Sequence, residues 1–221
     1  MKKKILVRAP VLSQSGYGEQ SRFALRALKS REDLFDVFIV PINWGQTGWI
    51  WKDSEFRRWM DEKISLTQVL LQRKQLVVDM SLQITIPNEF QKIAPVNIAY
   101  TAGIETNKVA PVWLQKGNEM DKLLLVSSHA ENTYKTTVAM ATNQQTGEQV
   151  EYKLTSPTAV VWENTPRADP EPIEEMDLTT DFNFLMVSQI SVRKNFENSI
   201  KWFVEEFIDQ DIGLVVKTNV I

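Results

Sequence analysis

Residues 191–195, SVRKN, set a guanidinium beside an ammonium at the opening of the amphipathic stretch NFENSIKWFVEEFI, directly behind the apolar run FNFLMVSQI. A helix N-terminus already presents free N–H groups and the positive end of the helix dipole. Cations there disfavour the helix, so Arg193 and Lys194 ask for a compensating anion, and a diphosphate suits a planar fork next to a point charge. Two solvated loop cations are the other reading of the pair. SGYGEQS, 15–21, links an expected strand to an expected helix. Gly16 and Gly18 let the backbone approach a ligand, with Tyr17 between them, and the helix start again favours an anion. A plain turn that needs glycine at positive φ accounts for the same residues.

Two further strand ends carry candidates. YTAGIET, 100–106, turns at Gly103 and puts Thr101, Glu105 and Thr106 where ligands collect in open α/β sheets. Glu105 also fits a helix cap or a solvated carboxylate. SSHAENTYK, 127–135, opens a helix that Ser127 or Ser128 can cap, and leaves His129 as an exposed helix-start residue or a catalytic one. Trp44, Trp49, Trp51 and Trp59 can stack sugars or bases, or pack into a core and lid.

Composition removes several function classes. The chain of 221 residues has one histidine, no cysteine and a formal net charge of −3. Thiolate metal sites and disulfides are excluded, and a zinc centre or a Ser-His-Asp triad has little to draw on; no metal site is expected. No clustered basic face suggests nucleic acid. No apolar run reaches the ~20 residues of a membrane helix, and MKKKILVRAP lacks the features of a secretory signal. The expectation is a soluble cytoplasmic protein. A dinucleotide-binding oxidoreductase is disfavoured by Ser21 at the place of the third fingerprint glycine, and by VPINWG, which ends the second strand without an acid.

The elements that must position these residues alternate between short apolar runs and helical patterns, which argues for an α/β protein with a mainly parallel sheet and helices on both faces. KILVRAP, FDVFIVPI, LVVDMSLQI, VNIAYTAG, KLLLVSS and TAVVWEN read as strands. EQSRFALRALKS reads as a helix, as do a short segment carrying Phe56, Trp59 and Met60, then separately SLTQVLLQRKQ, and HAENTYKTTVAMA; PVWLQKGNEM reads as a helix or turn. Residues 142–154 read as a hairpin-like insertion. Residues 165–181, rich in Pro and acid, read as a linker between a domain at 1–164 and the β-α-β opening of a second at 182–221.

Taken in order, SGYGEQSRFALRAL, NIAYTAGIET, WLQKGNEMDKLLLVSSHAENTYK and FLMVSQISVRKNFENSIKWFVEEF resemble a GT-B-fold glycosyltransferase of the large family 4 type, over nearly the whole chain. The resemblance implies two Rossmann-like domains, the first binding the acceptor and the second a nucleotide-sugar donor, without a cofactor. It gives Gly16, Tyr17 and Gly18 to the cleft near the donor phosphates, and Arg193 and Lys194 to the donor diphosphate, where positive charge stabilises the leaving group. Many members carry a histidine after the strand that here reads NIAYTAG, so the catalytic residue stays open among Thr101, Glu105 and His129. The family's paired-glutamate donor motif would fall beyond Ile221. The resemblance therefore implies a piece truncated inside the second domain, inactive by itself and able to self-associate through the incomplete unit. A non-catalytic glycan- or nucleotide-binding module of the same ancestry is the competing expectation.

Overall fold

The computed structural model describes residues 2–142, 147–163, 173 and 176–218. The chain divides into two compact units, Met1–Pro166 and Arg167–Ile221. Most of the expected linker (165–172, 174 and 175) and the tip of the expected insertion (143–146) lie outside the described residues.

The first unit runs β1 (Lys3–Ala9), α1 (Gly16–Lys29), β2 (Phe35–Pro41), α2 (Glu55–Gln72), β3 (Met80–Ile84), β4 (Val96–Thr101), α3 (Pro111–Asn118), β5 (Lys122–Leu125), α4 (Ser128–Thr136), β6 (Ala139–Thr142), β7 (Gln149–Tyr152) and β8 (Thr158–Val160). Six of these strands form one sheet in the order β2-β1-β3-β4-β5-β8, every pair parallel. This is a Rossmann-like α/β arrangement.

Strand pairing sorts the apolar residues onto two faces. Ile5, Val7, Val37, Ile39, Leu82, Ile84 and Tyr100 share one face by register and alternation. They pack with Leu25 of α1 and with Trp59, Met60 and Ile64 of α2. Ala99, Leu123 and Leu125 point the other way, onto Leu114 of α3 and Ala130 and Tyr134 of α4. A parallel sheet needs cover on both faces, and each fully buried aliphatic side chain contributes about 2 kcal/mol.

Among the element boundaries that differ from expectation, which include α1 beginning at Gly16 rather than Glu19 and β8 ending at Val160, three have a visible cause. The two short helices expected around Phe56 and Leu70 are one 18-residue helix, α2. Ser54 caps it by accepting from the Arg57 N–H at 3.1 Å, and no Gly or Pro interrupts it before Lys74, which turns at φ 54°. Its Thr67 hydroxyl accepts the Ile39 N–H at 2.9 Å, which satisfies a backbone donor of the edge strand β2. β3 begins only at Met80, because the Asp79 carboxylate takes the Lys4 N–H at 2.7 Å and ends the irregular stretch before it. The helix expected through Ala141 stops at Thr136: the β-branched run Thr136-Thr137-Val138 leads into β6, which pairs antiparallel with β7.

The β1–α1 loop is held from beneath by Arg22, only 4% exposed. Its Nη1 donates to the carbonyls of Val11 and Ser13, both at 2.8 Å, and its Nη2 donates to Glu19 Oε1 at 2.5 Å. Hydrogen bonds from a charged donor to carbonyls shut away from water are among the stronger ones a fold makes.

The second unit comprises β9 (Phe182–Val187), a 3-10 turn (Val192–Lys194), α5 (Phe196–Phe207) and β10 (Ile212–Lys217). β9 and β10 pair in parallel, and Phe184 meets Phe203 and Phe207 of α5 at centroid distances of 5.9 and 5.5 Å. The opposite face shows Leu185 and Val187 largely to solvent, and no residue of α5 is fully buried.

Replacing Arg22 by Met is expected to lower unfolding free energy by about 3 kcal/mol, since two buried carbonyls lose their donor. Glu19→Gln, at the exposed end of the same contact, should cost far less. Urea titration of both variants checks the difference; equal losses would show that the ion pair, not the carbonyl clamp, is what counts.

Candidate functional site at the carboxyl edge of the sheet

The carboxyl ends of the six parallel strands lie along one edge, and strand order reverses between β1 and β3. Open α/β sheets collect ligands at such a reversal. Gly16, Tyr17 and Gly18 open α1 there, Thr101 ends β4, Glu105 follows in the β4–α3 loop, and His129 lies in the first turn of α4. The structure therefore brings these sequence candidates to one edge. Arg193 and Lys194 belong to the second unit.

α1 starts with Ser15 in extended conformation, its Oγ accepting from the Gly18 N–H at 3.1 Å. The N–H groups of Gly16 and Tyr17, at the two preceding positions of the turn, have no intrahelical acceptor. Gly16 is exposed, and a Cβ added to it would meet nothing within 4 Å. Gly18 is different: its Cβ would fall 2.0 Å from the Ser13 carbonyl oxygen, so this glycine serves the close approach of the loop to the helix. Beside the helix start runs a line of hydroxyls, Ser15 to Ser13 at 2.8 Å and Ser13 to Thr47 at 2.6 Å.

Tyr17 spans from α1 to β4. Its hydroxyl lies 2.8 Å from Thr101 Oγ1 and accepts the Ala102 N–H at 3.2 Å, while its ring leans on Trp44 at a centroid distance of 4.5 Å. Burial raises the phenol's pKa above the usual tyrosine value, the Thr101 and Ala102 hydrogen bonds oppose that rise, and the negative charges of Glu163 and Glu89 add to it. Thr101 is fully buried, which makes it a partner of Tyr17 rather than a group that meets a ligand. His129 is exposed, and its Nε2 lies 3.2 Å from the Thr106 carbonyl, tying the β4–α3 loop to α4. The same loop passes over α4 at Gly103, φ 86°, where a Cβ would fall 2.6 Å from Ala130 Cβ. Glu105 is exposed.

Sequence reasoning did not single out several residues at this edge. Arg8 donates to the Glu89 carbonyl at 3.1 Å and Thr85 to Glu89 Oε2 at 2.8 Å, closing the reversal itself. Gln20 is 2% exposed with both amide atoms unpartnered. It lies near the Tyr100 hydroxyl, outside hydrogen-bonding geometry, and that hydroxyl instead donates to the Val161 carbonyl at 2.9 Å. Ser13 and Thr47 are 34 positions apart, and no local pattern joins them.

In the second unit, Arg193 and Lys194 occupy the exposed 3-10 turn that precedes α5. Asn195 follows in the left-handed region, φ 52°, and its side chain makes no capping bond to the helix. Among the described residues no group of three or more His, Asp or Glu side chains is placed to hold a metal ion, and no helix is long and apolar enough to cross a membrane. A shallow hollow lined by Arg26, Lys29, Ser30 and Phe56 lies at the far end of α1, away from this edge.

No protein-family model matches this sequence, and neither a curated protein nor a solved structure does.

The two glycines should separate under substitution. Gly18→Ala is expected to cost about 2–3 kcal/mol, since backbone must move to admit the methyl group. Gly16→Ala should leave stability within about 1 kcal/mol, as it stands in open space at a helical position. Thermal denaturation of each variant reads the contrast, and comparable losses would place Gly16 in packing.

Tyr134 provides a pH test. Its buried hydroxyl has no partner, and burial, with a smaller contribution from Tyr17, drives its pKa far up. Tyr17 and Tyr100 shift the same way, burial first in each. A folded pKa raised above the unfolded value means stability is fully present below pH about 10 and falls as pH rises beyond it. Tyr134→Phe should therefore flatten the alkaline decline and leave the neutral-pH Tm unchanged or higher. Tyrosinate absorbance followed alongside unfolding measures both, and a lowered neutral-pH Tm would count against an unpartnered hydroxyl.

Proposed function

We propose that this chain is part of a glycosyltransferase that moves a sugar from a nucleotide-sugar donor to an acceptor, comprising the acceptor-side domain and the opening β-α-β unit of the donor domain. The observation that carries this reading is the start of α1. Two N–H groups without intrahelical acceptors open beside an exposed Gly16 and a line of hydroxyls, at the edge where parallel sheets bind ligands. Arg193 and Lys194, in the strand-to-helix turn of the second parallel unit, serve the donor diphosphate in this reading. Cations aimed at a departing diphosphate lower the barrier by stabilising charge that develops in the transition state. The order of motifs along the chain supports the same assignment.

A binding module without catalysis is the second reading. It is favoured by the burial of Thr101 and by the engagement of His129 with the Thr106 carbonyl, which place two of the three catalytic candidates in structural contacts.

Titration calorimetry of the chain with UDP, GDP and inorganic diphosphate tests the proposal. A nucleoside diphosphate is expected to bind, and Arg193→Ala combined with Lys194→Ala should weaken it roughly tenfold or more. Absence of binding by every one of these anions would overturn the reading. Glycan affinity with no dependence on nucleotide would favour the module.

A further inference from the structure

The loop that follows β2 carries a feature the fold does not consume. Trp51 is 84% exposed and Trp49 57% exposed, whereas Trp59 is buried in the core and Trp44 packs on Tyr17. A lone exposed indole is ordinary, but two in one short loop are not explained by packing. Backbone geometry explains how they are presented. Trp49 bridges to Ser13 in antiparallel fashion, the Ile50 N–H donates to the Leu12 carbonyl at 2.8 Å, and the Gln14 N–H donates to the Gly48 carbonyl at 2.8 Å. Arg57 Nη1 donates to the Ile50 carbonyl. The Ile50 side chain packs against the core. In extended chain, neighbours alternate sides, so with Ile50 turned inward Trp49 and Trp51 both face outward on the same side.

The surroundings indicate what such rings meet. From Ile42 to Trp51, INWGQTGWIW, the loop carries no charged residue. Its polar groups are the amides of Asn43 and Gln46 and the hydroxyl of Thr47, which continues into the Ser13–Ser15 line at the start of α1. Indole faces take the C–H faces of a pyranose, and neutral amides and hydroxyls take its hydroxyl groups. A phosphate backbone or an acidic peptide would require a cluster of cations, whereas the rest of this loop adds Lys52 followed at once by the carboxylate of Asp53. An apolar protein partner would want a continuous apolar patch, whereas the other exposed residues of this loop are Asn43, Gly45, Gln46, Gly48, Lys52, Asp53 and Ser54.

We infer that Trp49 and Trp51 form a stacking platform for an uncharged oligosaccharide, which is the acceptor class of the transfer proposed above and rests on that reading. Both rings sit on a loop pinned to the β1–α1 loop, so the platform is preformed and loses little entropy on binding.

The test uses immobilised linear hexaoses of glucose, mannose and N-acetylglucosamine, with binding of the full chain followed by surface plasmon resonance. The chain is expected to bind at least one of them. Trp51→Ala should weaken that binding about tenfold, the scale of one stacked ring, and Trp51→Phe should lose less. The substitution is on the surface, so circular dichroism and Tm should be unchanged. No retention of any hexaose, or equal binding by Trp51→Ala, would overturn the platform. So would preferential retention of an oligothymidylate probe, or a dimer in sedimentation that Trp51→Ala dissociates. UDP and GDP titrated in parallel separate the two proposals. Nucleotide binding without hexaose binding removes the platform and keeps the transferase reading, whereas hexaose binding without nucleotide keeps the platform as a glycan site and removes the transferase.

Discussion

The guanidinium of Arg22 is the contact on which the carboxyl edge depends. A loop leaving a buried parallel strand carries carbonyls that water cannot reach, and each must find a donor or lose the free energy of its solvation. Here the carbonyls of Val11 and Ser13 converge on one side chain rising from α1, and Glu19 on the same helix accepts from its other nitrogen. With the loop held in this way, the Ser13 carbonyl approaches Gly18 so closely that only glycine fits. The line of hydroxyls through Ser13, Ser15 and Thr47 inherits its position from the same clamp.

Tyr17 transmits this order across the sheet. Its ring rests on Trp44, in the loop after β2, and its hydroxyl reaches the end of β4. Loops that follow three different strands are thus joined through one side chain. The consequence for chemistry is direct. Thr101 and Tyr17 satisfy each other, so neither is poised as a free acid or base; Ser13, Ser15 and Thr47 likewise bond one another, and the open groups at the edge are backbone N–H donors and indole rings. Such a set binds and orients. It suits reactions in which charge on a leaving group is stabilised more than reactions that need a strong internal base.

Much of the fold was legible because the parallel strands are short apolar runs bounded by polar turns, and their alternation with helices allows few arrangements. The misread boundaries share a cause: local pattern weighs neighbours in sequence, while tertiary bonds decide where an element stops. Asp79 delays β3 by answering an amide 75 positions away, and α2 continues through Ser65 because its Thr67 is held to β2. At the edge, the placement of Gly16, Tyr17, Thr101, Glu105 and His129 followed from their positions at strand ends. Their individual duties did not. Gly16 and Gly18 look equivalent in SGYGEQS, yet one stands in open space and the other against a carbonyl. Arg22 could be suspected only from its place three residues after Glu19 in the helix.

The division between what supports the fold and what remains open to a ligand sharpens the view of the aromatic loop. Among the four tryptophans between residues 44 and 59, packing accounts for two: Trp59 lies in the core with its N–H on Glu32 Oε1 at 2.9 Å, and Trp44 supports Tyr17. The remaining two alternate around Ile50, whose inward side chain is the reason they point out. Keeping the loop attached through Ile50 thus forces both neighbours to the surface, but it does not dictate that they be tryptophan. A small polar residue at either position would satisfy the fold at lower cost in exposed apolar area. The choice of indole at both therefore belongs to something outside the packed chain, and the rim beside it, rich in amides and hydroxyls with Lys52 next to Asp53, narrows the chemistry of that partner to a ligand of polar, largely uncharged character.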